Sequence, residues 1–248
     1  MLRLSKDKRT LKENLLLASS TAFVAGITNV AGLIAFLAFT ANITGHFANL
    51  AKHVVEQNLR QILIFFVWLL LFFGGAFISN LIVRAASRRS NYGNNSIPII
   101  LEIIILLLVA FYGHLFYDGT MLEREIITGA IIFSMGLQNG LVSNISGGLV
   151  KTSHLTGLFT DLGADAAELI HNDVRKNVLV KSRIYVRITI LAFYFFGGLA
   201  GAYFFDKYNF VVFYFIPVIL LTILYYDLSA IALHKLARLF SINRKPSN

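Results

Sequence analysis

Six runs of predominantly apolar residues, near 15–39, 61–83, 97–117, 126–150, 184–205 and 209–229, constrain this chain more than any other feature. Each reaches the roughly 20 residues that an α-helix needs to cross the hydrocarbon of a bilayer. Inside hydrocarbon every backbone N–H and C=O must be satisfied within the protein, so runs of this length fold as helices. The 248 residues include only 14% charged side chains, against about 25% in a soluble domain. No interval between the runs can hold a separate soluble domain, so residues 1–248 read as a single membrane domain. The apolar segment after RLSKDKRTLK runs well past the roughly 7 to 15 residues of a signal-peptide core. It lacks a small-residue cleavage site and reads as a retained first helix.

The basic residues choose the orientation. An alternating path through six helices puts Arg3, Lys6, Lys8, Arg9, Lys12, Arg84, Arg88 and Arg89 on one side, together with Lys151, Arg175, Lys176, Lys181, Arg183, Arg187, Lys235, Arg238, Arg244 and Lys245. Only Lys52, Arg60, Arg124 and Lys207 fall on the other, a split of 18 to 4 among the 22 basic residues. The positive-inside rule then places both termini and their basic tails in the cytoplasm. The net charge of +9 is thereby explained by orientation in the bilayer, and no aromatic and basic pattern of a nucleic-acid module accompanies it. With no cysteine in the chain, disulfides, thiolate ligands and cysteine nucleophiles are excluded.

Two polar stretches break the apolar pattern, TANITGHFANLAKHVVEQ at 40–57 and TSHLTGLFTDLGADAAEL at 152–169. Without gaps, Thr40 meets Thr152, Thr44 meets Thr156, Gly45 meets Gly157, Phe47 meets Phe159 and Leu50 meets Leu162. Upstream, GITN at Gly26–Asn29 corresponds to GLQN at Gly136–Asn139; downstream, FFGG at Phe72–Gly75 recurs at Phe195–Gly198. Repeat one covers about 14–117 and repeat two about 123–230. Three helices per repeat is an odd number, so the second copy enters the membrane from the opposite side. The predicted fold is an all-α polytopic membrane protein with six transmembrane helices as two inverted three-helix repeats. Each repeat carries a short polar helix, re-entrant or interfacial, after its first span.

Both polar stretches have helical periodicity. His46, Asn49, His53 and Glu56 share one face of the first, and Asp161, Asp165 and Glu168 one face of the second. Thr44 and Thr156 are expected to cap these helices, with Gly45 and Gly157 taking the backbone angles of a helix break. The opposite face of the second helix holds Gly163, Ala164, Ala166 and Ala167, which suits close packing in the bundle. Buried carboxylates must be protonated, paired or bound to cations, which gives the acidic face a proton or cation role. The residue types also suit a divalent metal, although no metal motif is present and a metal remains unassigned. Alternatively, the helix starts after Thr44 and Thr156 present backbone N–H groups to an anion. Asn29, Gln138 and Asn139 lie within apolar helices, either bonding across helices or lining the same site.

Elsewhere, Glu102, His114 and Asp227 fall toward predicted helix ends, where snorkelling or a local salt bridge accounts for them. GxxxG spacings at Gly136/Gly140 and Gly197/Gly201 permit close packing within the chain or in a homodimer. No serine nucleophile with a histidine partner, metal-binding histidine pair or phosphate-cradling loop is recognisable. Neither an enzyme activity nor a cofactor is expected.

With TxxxTG after the first helix, GLQN in the fourth and a second TxxxTG just after it, the sequence resembles the YoaK-like membrane proteins over residues 15–230. That family commonly reads TGN in its first motif, where this chain has Thr44, Gly45 and His46. The resemblance implies a six-helix protein of the bacterial inner membrane and supplies no substrate. Inverted repeats are a frequent construction of secondary transporters. The leading expectation is therefore a small secondary transporter or ion- or proton-coupled permease with its site between the repeats. The other is a non-transporting membrane scaffold or binding protein in which the polar helices are structural.

Overall fold

The structure is a computed structural model that describes residue 2 and residues 9–85, 91–171 and 177–242. In chain order the helices are α1 (Leu11–Phe36), α2 (Ile43–Val55), α3 (Leu59–Ala85), α4 (Asn91–Leu115), α5 (Met121–Ser146), α6 (Leu155–His171), α7 (Asn177–Tyr208) and α8 (Val212–Ile242). A 3₁₀ turn at Asn209–Val211 joins α7 to α8. The sequence long, short, long, long occurs twice. Arg3, Lys6, Lys8, Arg88, Arg89, Arg175, Lys176, Arg244 and Lys245, which carry half of the orientation argument, lie outside the described residues, as do the side chains of Lys235 and Arg238.

Five stretches are long and apolar enough to cross a membrane: Leu11–Phe36, Leu59–Ala85, Tyr92–Leu115, Met121–Ser146 and Val178–Ser229. The fifth contains the 3₁₀ turn, where Asn209 takes a left-handed φ of 50°. On α3 the exposed residues Phe66, Leu70, Phe73, Phe77 and Leu81 form one continuous stripe. An apolar surface of this extent belongs against lipid. The chain is a multi-pass membrane protein.

The first helix of each half starts and stops by the same devices. Thr10 with Glu13 opens α1 and Thr120 with Glu123 opens α5, each as a reciprocal capping box that satisfies two backbone N–H groups. α1 ends at Phe36 because Leu37 turns left-handed at φ 56°, and α5 ends at Ser146 because Gly147 does so at φ 66°. Both helices therefore stop short of the predicted limits at 39 and 150. Thr10 to Thr120, Gly26 to Gly136 and Leu37 to Gly147 are all separated by 110 positions.

The two halves interlock rather than sit side by side. α1 packs along α7, and α3 along α5. Both pairs run parallel: Phe23 and Ile27 meet Gly197 and Gly201, while Phe72 and Ala76 meet Gly136 and Gly140. The GITN, GLQN and FFGG markers are these crossing points, and both GxxxG pairs are used inside the chain. A Cβ at Gly26 would collide with the Tyr194 carbonyl, and one at Gly136 with the Phe72 carbonyl. α4 packs antiparallel to α8, with the Tyr92 hydroxyl donating to the Leu224 carbonyl at 3.0 Å and Gly113 beneath the Phe210 ring.

Glu102 differs from the expectation of snorkelling or a local salt bridge, whereas Asp227, though buried, lies close enough to Arg9 to interact with its charge. Because α4 begins at Asn91, before the predicted start at 97, Glu102 sits well inside the helix, fully buried, with neither carboxyl oxygen partnered among the described residues. Asp227 is also fully buried and accepts from the Leu2 backbone N–H at 2.5 Å. His114 stays exposed, edge-on to Tyr214.

Gly136→Val should lower stability by about 3 kcal/mol through forced separation of α3 and α5. Gly163→Ala, at a site with open space around it, should be neutral or raise stability by up to about 1 kcal/mol. Thermal unfolding of the purified protein in detergent tests both.

Candidate functional site

After α1 the chain folds back along the helix it has just left. The Asn29 side-chain oxygen accepts from the Thr40 and Ala41 backbone N–H groups at 3.0 and 2.9 Å, and the Thr40 hydroxyl donates to the Thr28 carbonyl at 3.3 Å. Asn29 lies seven residues before the end of α1, about 10 Å along the helix axis. The second half repeats the device, the buried Thr152 hydroxyl donating to the Asn139 side-chain oxygen at 3.1 Å. Asn139 likewise lies seven residues before the end of α5. The amides thus bond across the fold-back.

The caps differ from the sequence expectation. Asn42 caps α2, its side-chain oxygen accepting from Gly45 N–H at 3.0 Å, and Thr44 already lies inside the first turn. In the second half His154 stands at the position equivalent to Asn42, just before α6, and its ring lies directly over Gly157. Gly45 and Gly157 are not helix breaks. They lie within their helices and leave room for a side chain that folds back over the first turn; the breaks are at Leu37 and at Gly147 and Gly148.

The two fold-backs bring the starts of α2 and α6 to one cavity of about 920 Å³. Asn42, Ile43 and Thr44 border it from the first half and Ser153, Leu155 and Thr156 from the second. Asn29 of α1, Asn80 of α3, Asn139 and Ser143 of α5 and Tyr194 of α7 complete its polar wall. Asn29 also bonds the Tyr194 hydroxyl, and Asn144 donates to Asn80 at 2.7 Å. Lys151 and His154 are the basic residues at its edge, and no Asp or Glu among the described residues lines it. Sequence reasoning missed Asn42, Asn80, Ser143, Lys151 and His154. Asn42 and His154 were detectable as an aligned pair in the repeat, whereas Lys151 was read only for orientation.

The acidic face of α6 lies elsewhere. Asp165 is buried between two guanidiniums, accepting from Arg183 Nε at 2.9 Å and from Arg187 Nη1. Arg183 also reaches Glu168 at 2.6 Å and Arg187 reaches Asp161 at 3.3 Å. These ion pairs turn the polar face toward α7 and leave Gly163, Ala164, Ala166 and Ala167 exposed, the reverse of the predicted packing. Among the described residues no three His, Asp or Glu side chains gather as a metal site.

On α2, His46 is the only buried residue. Its ring meets Trp68 at 5.3 Å, and burial lowers its pKa below the ordinary histidine value, a hydrogen bond to the Phe39 carbonyl opposing this only in part. His53 stacks on Phe65 at 5.5 Å and bonds Glu56 at 2.8 Å, while Asn49 is exposed. Gln138 is buried away from the cavity, reaching the Thr21 carbonyl at 3.4 Å.

This arrangement defines a multi-pass membrane protein with a partly open cavity, of mixed apolar and polar lining, where the starts of α2 and α6 meet. A family model matches residues 17–226, and the chain belongs to that family, DUF1275, described as a protein of unknown function. No curated protein and no solved structure matches the chain.

Asp165→Ala leaves Arg183 and Arg187 facing a vacated partly buried site and should cost about 3 kcal/mol of stability. Asp161→Ala, at an exposed carboxylate, should cost under about 1 kcal/mol. Denaturant titrations of both variants in mild detergent distinguish these values.

Proposed function

We propose that this protein is a small secondary transporter whose solute site is the cavity where α2 and α6 begin. On this reading the chain crosses the membrane six times as two inverted repeats, with α2 and α6 re-entrant and both termini cytoplasmic. The cavity carries the proposal: at about 920 Å³ it lies within the usual range of small-molecule sites, roughly 300 to 1,000 Å³. Transporters of inverted-repeat construction bind at the repeat interface, at the ends of short or interrupted helices. Irregular backbone at membrane depth persists where protein or a water-filled cavity surrounds it.

Two further observations support six crossings. Val178–Ser229 has 52 residues, about 78 Å as one helix against a hydrocarbon layer of about 30 Å, and the break at Asn209 divides it into two spans. Parallel packing of α1 on α7 and of α3 on α5 is the relation that inversion requires, since each pair joins the first span of one half to the second span of the other.

The lining favours an anionic solute. Lys151 brings positive charge, the amides and hydroxyls supply donors, and the first turns of two helices border the space. A cation would require carboxylates, and those of α6 already hold Arg183 and Arg187.

Proteoliposomes loaded with a panel of small inorganic and organic anions provide the test. Uptake of at least one anion is expected, reduced about tenfold by Lys151→Gln, the scale of one lost charged hydrogen bond, and little changed by Asp161→Asn. Single cysteines at Asn42 and Ser153 should label from water in a solute-dependent manner. Absence of all uptake, with both cysteines closed to labelling, would establish the scaffold reading instead.

A further inference from the structure

Beyond the α1–α2 connection lies a second, smaller pocket of about 330 Å³. Phe39 borders both it and the central cavity. Phe36, Phe39, Phe65 and Trp68 form an aromatic part of its wall. His46 and Arg124 also line it, and each leaves one buried polar atom, Nε2 and Nε respectively, without a partner among the described residues.

Those two atoms are complementary. In the Nδ1–H tautomer the His46 ring presents a lone pair at the unpartnered Nε2. Arg124 Nε carries a hydrogen, so the two unpartnered buried atoms offer one acceptor and one donor, with Asn49, Gln61 and Glu125 as the other polar residues of the lining. The fold itself does not require the imidazole: the equivalent position in the second half is Leu158, equally buried at 3% exposure. Nearby charges are already engaged. Arg60 of α3 pairs with Glu125 of α5 at 2.8 Å, and on α2 His53 bonds Glu56 behind the Phe65 ring. Arg124 makes no ion pair among the described residues.

We propose that this pocket binds the undissociated carboxyl group of a small weak acid with an aromatic or apolar body. The acid O–H donates to His46 Nε2, its carbonyl oxygen accepts from Arg124 Nε–H, and the aromatic walls hold the body. A simple inorganic anion lacks both the donor and the apolar body. The pocket thereby names the solute class of the proposed transporter and forms the loading site next to its central cavity; this last step rests on the transport reading, whereas the binding does not.

Trp68 is the chain's single tryptophan; its ring borders this pocket and also a neighbouring apolar pocket between α3 and α5, so the variants at His46 and Arg124, which line only the former, assign the emission change to this site. The full chain in lipid nanodiscs is titrated with benzoate and, separately, with methyl benzoate, which has the same body without the acid proton. At about pH 5 benzoate should change Trp68 emission saturably and methyl benzoate should not, with apparent affinity falling at least about tenfold near pH 7.5 as the acid ionises. His46→Leu, which installs the residue of the second half, and Arg124→Met should each weaken binding about tenfold or more. An equal response to methyl benzoate, no saturable response to benzoate, or unchanged affinity in either variant overturns the proposal. If one variant fails to fold by thermal unfolding, the other decides. Binding that survives while all anion uptake fails removes the transport reading alone; uptake sensitive to Lys151→Gln without benzoate binding removes this one alone.

Discussion

A chain that folds back into an apolar bundle carries backbone N–H and C=O groups to a place without water, and the rest of this structure depends on how that cost is met. Each such group left unsatisfied costs about 1–3 kcal/mol. Asn29 answers with one oxygen that accepts two successive N–H groups, at Thr40 and Ala41, and Asn139 holds Thr152 in the other half. Because these amides fix where each return ends, they also fix where α2 and α6 begin. The cavity is the space between those two beginnings.

Glycine makes the space possible from the other direction. The close crossings at Gly26 and Gly197, and at Gly136 and Gly75, let the backbones of α1 and α7, and of α3 and α5, meet with no side chain between them. Each crossing joins the first long helix of one half to the second long helix of the other. Neither half closes on itself, so any polar surface each leaves at its fold-back is shared at the centre. The acidic residues of α6 are kept apart from that centre. Arg183 and Arg187 draw the acids of α6 against α7, which leaves the cavity with amides, hydroxyls and Lys151.

Much of this was legible in the sequence. The long helices were legible because an apolar run in lipid has no alternative to a helix, although their ends were not, α8 running on to Ile242 where the apolar run stops at 229; the paired glycine motifs fall at helix crossings. The errors share one cause. Helical periodicity places Asp161, Asp165 and Glu168 on one face without saying what that face meets, and the arginines that answer it are roughly 20 residues away on another helix. The caps were misread for a related reason: Thr is a good cap in general, yet the left-handed residue at Leu37 sets the phase of the return and brings Asn42 to the capping position.

The sequence by itself determined that the chain is a helical membrane protein, roughly where its long helices lie, and that short motifs recur in its two halves. Those properties follow from local rules: run length and the matching of short motifs. Tertiary structure alone decided which polar residues face one another. It separated the acidic face from the cavity, gathered Asn42 and Ser153 from distant segments, and placed His46 beside Arg124 among aromatic rings. A contact between helices depends on crossing angle and register, which the close approach at the glycines sets and no single segment encodes.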